Sequence, residues 1–333
     1  MLALMVTQLD LNETWQGVSR AGYWFAAVLV LWALLYIMNT AAIWIIIHSQ
    51  QSGAPAPQDS GTPAPKDSGA PVQQPLSFLW LYKITVSGFA LNYATPGGLL
   101  GGEPYKIMSL APKIGTERAT AAVILHTMTH IFSHFWFWLL SCLLFVMVRT
   151  VNFYTATILL STTVFCLAGI WFFLKGYKGG IAVQLLRVLR HIPGVRNWAT
   201  RFIHQHEEQL HAIDQQISAL HNQNPRTFAS AVMLELVCRI ISALEIFFIL
   251  LVVLPSANYA DCILILAFTS LFANMLFFIP LQLGGREGGF MMSIIGLGMT
   301  ASEGIFVALL VRLRELIWTG IGLLLIKFER KSK

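Results

Sequence analysis

The sequence predicts an all-α polytopic membrane protein: about six to seven transmembrane helices plus two re-entrant, Pro/Gly-broken elements in an inverted repeat. Three observations predict it. Of the 333 residues, 56% are hydrophobic and 11% charged, against about 25% charged in soluble chains. Apolar runs well beyond ~18 residues recur, and the absence of period-two alternation argues against a membrane barrel. Finally, one broken motif occurs twice. Residues 96–103 read PGGLLGGE and residues 280–287 read PLQLGGRE, 184 positions apart. In both, glycines precede a glutamate that follows the proline by seven residues. The register persists, pairing Ser109 with Ser293, Thr116 with Thr300 and Leu125 with Leu309. Two Pro/Gly-interrupted apolar segments at matching places in two halves point to a transporter's binding site.

Taken in order, residues 1–6 are apolar and 7–20 polar. This opening reads either as the tail of an earlier span or as a frayed terminus, and it lacks the features of a cleavable signal peptide. Residues 22–47 form the first clear span, with Tyr23, Trp24 and Trp44 as interface anchors. Residues 49–75 repeat GAPAPQDS as GTPAPKDS, a Pro/Ala-rich composition that cannot bury a core and predicts a disordered linker. Apolar residues 76–95 lead to the first break, and 104–118 are short and basic. Spans follow at 119–148 and 152–174. The polar segment 175–227 carries apolar residues at heptad-like spacing over 201–221, the pattern of an amphipathic helix on the membrane or against a neighbour. Residues 228–254, 259–279 and 303–327 read as spans around the second broken element, 280–299. The expected organisation is therefore 1–48 (N-terminal segment and first span), 49–75 (linker), 76–174 (first repeat), 175–227 (cytoplasmic amphipathic segment) and 228–333 (second repeat).

Positive charge sets the orientation. Segments 48–75, 104–118, 175–227 and 327–333 hold 15 Lys and Arg together, and the alternate segments hold 3. The first group is expected in the cytoplasm, with the C terminus. Residues 76–118 must then enter the membrane and return to the same side, and the second copy must do so from the other side. The net charge of +6 belongs to loops facing anionic lipid, so no nucleic-acid partner is expected.

Short helices after each break would present free N–H groups near the bilayer middle, where they attract anions such as phosphate. Glycine lets a headgroup approach the backbone. The candidate substrate-binding residues are therefore Pro96, Gly97, Gly98, Gly101, Gly102 and Glu103, with Gly284, Gly285, Arg286 and Glu287. Glu103 and Glu287 suit a helix cap, a cationic headgroup or a coupling proton. Arg286 has Glu287 beside it as a partner. Ionisable groups inside spans are costly and mark function, which adds Arg312, suited either to bidentate phosphate binding or to an ion pair with Glu315. Glu235 and Arg239 stand four apart, the spacing of a structural pair, and Glu245 has no local partner; Arg239 and His130 complete the candidate substrate-binding set.

His126, His130 and His134 follow at four-residue steps on one helix face. They suit a polar helix–helix contact better than a metal site or proton relay, since no HExxH motif accompanies them. The four cysteines lie in apolar segments without metal spacing. No Walker loop, dinucleotide fingerprint or Ser-His-Asp order is present, so no catalytic residue, metal or cofactor is expected.

Three stretches carry a family resemblance: Asn92-Tyr-Ala-Thr-Pro96-Gly-Gly with Gly101-Gly102 and the basic segment after it; Ile279-Pro280 through Gly284-Gly285-Arg286-Glu287 and on to Gly298; and Ala308-Leu-Leu-Val-Arg312-Leu. Over approximately residues 20–327 the chain resembles the flippase-like transmembrane family named after the membrane region of lysylphosphatidylglycerol synthase. The resemblance implies a bacterial inner-membrane protein that binds or translocates a polar lipid, its substrate partner, without the separate aminoacyl-transfer domain. The family has an arginine near the first Pro-Gly-Gly and another at the equivalent of Arg312 in the first long helix. Here Leu99-Leu100 and Met128 stand in those places, so the second arm is expected to hold phosphate more tightly. Two other functions fit the sequence: a membrane lipid-modifying enzyme using Glu103, Glu287 or the histidines, and a scaffold recruiting a cytoplasmic partner through 175–227.

Overall fold

The computed structural model describes residues 19, 21–52, 76–95, 101–177, 225–275 and 285–331. Among the described residues the chain is helical throughout: α1 (Tyr23–Ser52), α2 (Phe78–Ala94), α3 (Gly102–Ile114), α4 (Thr116–Val148), α5 (Phe153–Tyr177), α6 (Pro225–Leu250), α7 (Tyr259–Met275), α8 (Gly285–Gly296) and α9 (Ala301–Lys331). α1 runs to Ser52, into the start of the linker expected at 49–75; the rest of that linker, most of 175–227, and Pro96, Gly97, Gly98 and Gly284 lie outside the described residues.

By length and composition, Tyr23–Ser49, Thr116–Val148 and Phe153–Lys175 are able to cross a membrane. α6 and α9 are longer than α5, with 26 and 31 residues, and they carry the ionisable side chains that a plain hydropathy criterion penalises. Those side chains are paired internally, as described below. α5 is the peripheral helix. Phe153, Tyr154, Leu160, Val164, Trp171 and Phe172 all point outward, as a lipid-facing surface requires.

Local signals set the helix ends. α2 stops at Thr95, whose hydroxyl and backbone N–H both donate to the Leu91 carbonyl, at 2.8 and 3.0 Å. The proline that follows disfavours further helix. α3 passes into α4 through Gly115 at φ +88°, a conformation that only glycine adopts cheaply. Asn152 and Thr155 cap α5 reciprocally, each accepting the other's backbone N–H at 2.9 Å. α8 ends in a Schellman motif. Met299 N–H donates to the Ile294 carbonyl and Gly298 N–H to that of Ile295, with Gly298 at φ +86°. Thr300 and Glu303 then form the capping box that starts α9.

The two short helices occupy comparable places. α3 packs between α2 and α4, and α8 between α7 and α9. Each belongs to its own apolar core, and α1 connects the two. Ile43, Ile46 and Ile47, from the C-terminal half of α1, pack with Leu110 and Ile114 of α3. Ala21, Phe25 and Val28, at the other end, pack with Phe290 and Ile294 of α8. At 1.5 Å per residue, Val28 and Ile43 stand roughly 22 Å apart along the helix.

Close helix crossings use small residues, as is common where lipid supplies no hydrophobic drive between helices. α9 crosses α2 at Gly322, where a Cβ would lie 2.5 Å from the Ala90 Cβ, and Ser87 donates to the Gly322 carbonyl at 3.2 Å. α8 meets α7 at Gly289 and Thr269. At one end of the bundle Arg149, just past α4, pairs with Asp261 in the first turn of α7 at 2.7 Å. The connections after α4 and before α7 therefore lie on one side of the bundle, in agreement with their shared place in the charge count. Lys106 changes the meaning of that count. It is 3% exposed, inside the bundle, and so is not a loop charge.

Candidate functional site

Three polar clusters lie between the helices. The largest is built on α8 and α9 and closed by α2. Arg286 pairs with Glu315 and Arg312 with Glu287. The pairing is crosswise. Arg286 does not take its chain neighbour Glu287, and Arg312 does not take Glu315 three residues on, because α8 and α9 pack as a hairpin that sets each guanidinium beside the other helix's acid. Tyr93 of α2 completes the ring. Its hydroxyl donates to Glu315 Oε2 at 2.6 Å and accepts from Arg312 at 3.1 Å.

Exposure is uneven around this ring. The side chains of Arg286 and Glu287 on α8 are 30% and 38% exposed, whereas Arg312 and Glu315 on α9 are at 10% and 7%. The open side therefore belongs to the short helix. Arg286 and Glu287 lie in the first turn of α8, where the helix dipole favours the carboxylate.

Arg314 touches the ring only at a distance, a terminal nitrogen lying 3.8 Å from Glu315 Oε1. It forms a fork on Glu245 of α6, Nε to Oε1 at 2.7 Å and a terminal nitrogen to Oε2 at 2.9 Å. Its guanidinium lies 3.7 Å from the Trp32 ring centroid. Glu245, without a partner in its own helix, thus finds one across the bundle.

The second cluster surrounds Glu103 in the first turn of α3. Glu103 accepts from Lys106 at 2.9 Å, from Asn92 at 3.2 Å and from Thr127 of α4 at 3.2 Å. Asn92 also caps the helix, its side-chain oxygen accepting the Gly102 N–H at 2.7 Å. Glycine is required at this point. A Cβ on Gly102 would overlap the Gly88 carbonyl oxygen and fall 2.7 Å from the Asn92 side chain, and one on Gly101 would lie 2.6 Å from Thr95 Oγ1. The glycines let α3 seat against α2.

The third cluster joins α4 to α6. Glu235, 2% exposed, faces two imidazoles: His130 Nδ1 at 2.9 Å and His126 Nε2 at 3.5 Å. The expected i,i+4 pair of Glu235 with Arg239 does not form. Arg239 instead donates to Ser133 Oγ and to the His130 carbonyl, both at 2.8 Å. His134 stands edge-on to His130 and against Trp138. Among the described residues no group of three or more His, Cys, Asp and Glu has the arrangement of a metal site.

The structure thus brings Arg286, Glu287 and Arg312 into one ring, seats Gly285 at the start of the same helix, sets Gly101, Gly102 and Glu103 at a second cluster, and places His130 beside Arg239 in a third. Sequence reasoning missed Asn92, Tyr93, Lys106 and Thr127. Asn92 and Tyr93 had a readable signal, two consecutive polar side chains at the end of an apolar run. As chain neighbours on α2 they serve different clusters, Asn92 the one at Glu103 and Tyr93 the one at Arg312.

Compared with known proteins, residues 1–322 match the family described as the lysylphosphatidylglycerol synthase TM region. No curated protein and no solved structure matches the chain. With nearly the whole length matched, apolar helices long enough to span a bilayer and ionisable side chains paired inside the bundle, the chain belongs to that family and is an integral multi-pass membrane protein.

Proposed function

We propose that the protein is a flippase-like transporter that binds a polar phospholipid headgroup between two inverted repeats and carries it across the bacterial inner membrane, with its C terminus in the cytoplasm. The crosswise ring of Arg286, Glu287, Arg312 and Glu315 carries this reading. It holds two cations and two carboxylates, so its net charge is zero. A headgroup bearing one phosphate and one ammonium can open one of the two pairs, the phosphate taking its arginine and the ammonium its released glutamate, while the other pair stays closed. Such an exchange swaps one set of charge-assisted hydrogen bonds for another, each about 1.5–3 kcal/mol, so no charge is stranded in the bilayer. The exposure of Arg286 and Glu287 gives the headgroup an approach from the α8 side.

Several features support the repeat. In each half, 76–174 and 228–333, a short helix packs between the helices before and after it. Each short helix is followed by a glycine at φ near +90°, Gly115 or Gly298. Glu103 reaches Thr127, 24 residues on, and Glu287 reaches Arg312, 25 residues on. The two apolar cores at opposite ends of α1 suit α3 and α8 as re-entrant elements entering from opposite faces. In this reading the two halves rock against each other across the Tyr93 contact.

The test uses proteoliposomes carrying phosphatidylethanolamine with a fluorophore on its acyl chain, and follows amine accessibility to a membrane-impermeant reagent. Faster exchange between leaflets than in protein-free vesicles is expected, reduced at least tenfold by Arg312→Ala. Exchange equal to that of protein-free vesicles with phosphatidylethanolamine and lysylphosphatidylglycerol alike would remove the reading.

A further inference from the structure

We propose that Glu235, His126 and His130 form a proton-binding site inside the bundle, and that the proton it takes drives the transport cycle; the second part rests on the transport reading above.

Glu235 is nearly sealed from solvent, and a carboxylate in such a place is expensive without a partner of opposite charge. The closest candidate, Arg239 one turn along α6, is occupied by Ser133 and a backbone carbonyl. The partners left to the carboxylate are two imidazoles, side chains whose charge depends on a proton. His130 Nδ1, as the protonated nitrogen of a neutral ring, donates one hydrogen bond to Oε2 at 2.9 Å. The other contact, His126 Nε2 to Oε1, is longer at 3.5 Å, and neither of these two buried atoms has a hydrogen-bond partner. The single ring proton of a neutral His126 can sit on either nitrogen, and an added proton leaves both nitrogens protonated, which makes the Nε2 contact with Oε1 a charge-assisted pair.

Access and destination are also present. The His130 side chain is 33% exposed, whereas those of Glu235 and His126 are at 2% and 5%. Of the three, His130 is the least enclosed, so the proton enters there and passes inward across the carboxylate. His126 precedes Thr127, which holds Glu103, so a charge gained at His126 arises beside the α3 cluster. Protonation therefore makes the surroundings of the α3 cluster more positive.

The other ionisable groups around the site are accounted for. His134 and Arg239 adjoin it on α4 and α6, while Glu103 and Lys106 of α3 neutralise each other. Cys238 of α6 is turned to Asn39 of α1. Asp261 of α7 is held by Arg149 beyond the end of α4, and Cys166 of α5 lies in an apolar cluster. With both histidines neutral, Glu235 and Arg239 cancel, so one added proton gives the site a single positive charge. The donor set suits a proton rather than a metal ion, since no metal-binding group of three is formed among the described residues.

The proton site is tested on the full chain in lipid nanodiscs with 15N-labelled histidine, the resonances assigned by His126→Gln and His130→Gln. Both rings should change protonation or tautomer over one shared pH interval between roughly pH 4 and pH 9. Glu235→Gln should separate the two titrations and move them by about one pH unit or more, and His134→Gln should leave them joined. Rings that keep a single neutral tautomer throughout, or titrations that Glu235→Gln leaves unmoved, would overturn the proposal. If Glu235→Gln does not fold, Glu235→Asp serves, with a shifted but still shared titration expected.

Coupling is read in the proteoliposome exchange assay under an imposed pH gradient. Exchange should change at least fivefold with the sign of the gradient in the wild type and lose that dependence in Glu235→Gln. Exchange indifferent to the gradient overturns the coupling. Absence of any exchange removes the transport reading instead, and the titration still decides the proton site.

Discussion

Tyr93 and Glu315 lie 222 positions apart in the chain and share a 2.6 Å hydrogen bond. The same hydroxyl accepts from Arg312, so one phenol from the first half of the chain completes an ion-pair ring built by the second. Tyr93→Phe keeps the ring's shape and removes only the oxygen. It should lower stability by about 1–3 kcal/mol, the cost of leaving buried polar groups short of a partner. Thermal unfolding in detergent checks this, and a double-mutant cycle with Glu315→Gln should show non-additivity. Additive losses would mean that the two side chains are not coupled.

The crosswise pairing predicts a charge-swap rescue. Arg312→Glu sets like charges side by side with Glu287 and should destabilise the protein strongly. Combining it with Glu287→Arg restores an ion pair between α8 and α9 and should recover at least half of the lost unfolding free energy. If the double variant is no better than the single, the pair does not hold the two helices together.

The Arg314–Glu245 fork is buried on both sides, with side chains 3% and 7% exposed. Breaking it by Glu245→Gln leaves the buried guanidinium only its longer 3.8 Å contact with Glu315 and should cost about 3–5 kcal/mol. Replacing both partners, Glu245→Leu with Arg314→Met, should cost much less, since no charge is left behind. Equal losses in the two variants would contradict burial as the cause.

Gly102 and Gly288 make a matched pair of tests. Gly102→Ala drives a methyl into the Gly88 carbonyl and the Asn92 cap, and overpacking of this kind costs about 1–3 kcal/mol. At Gly288 a Cβ meets nothing within 4 Å, so Gly288→Ala on α8 should be neutral or slightly stabilising. A reversed order of the two melting temperatures would show that α3 is not seated as described.

Arg149 and Asp261 join two helix ends where Arg149 is 35% exposed. Their contribution should be about 1 kcal/mol or less and should fade with salt. Asp261→Asn therefore shifts the melting temperature at low ionic strength and leaves it nearly unchanged at high. A large, salt-independent loss would assign Asp261 a packing role.

The helices themselves were legible because each has a local cause. Apolar length marks α1, α4 and α5. Proline after Thr95 ends α2, and glycine at positions 115 and 298 separates each short helix from the long one after it. The functional candidates were legible as types, since an Arg or Glu within an apolar run must find a partner. Which partner was not legible. Proximity in sequence suggested Glu235 with Arg239, Arg312 with Glu315 and Arg286 with Glu287, and in each case the acid or the guanidinium bonds to another helix instead. Lys106 was misread for the same reason. In sequence it is one of three basic residues in a short polar stretch, and only the packing of α3 against α2 and α4 buries it beside Glu103.

The sequence by itself determined that this chain is a helical membrane protein, where most of its helices begin and end, and which rare ionisable residues had to be explained. These properties follow from composition, from backbone limits at proline and glycine, and from the cost of charge in lipid, all of which act locally. Only the tertiary structure decided that Asn92 and Tyr93 serve two different clusters, that Arg286 and Arg312 exchange their neighbours' carboxylates, and that Glu235 rests on two histidines rather than an arginine. Pairing inside a bundle depends on which helix faces cross and at what height. Helix packing sets those relations between residues tens to hundreds of positions apart, and no spacing along one helix encodes them.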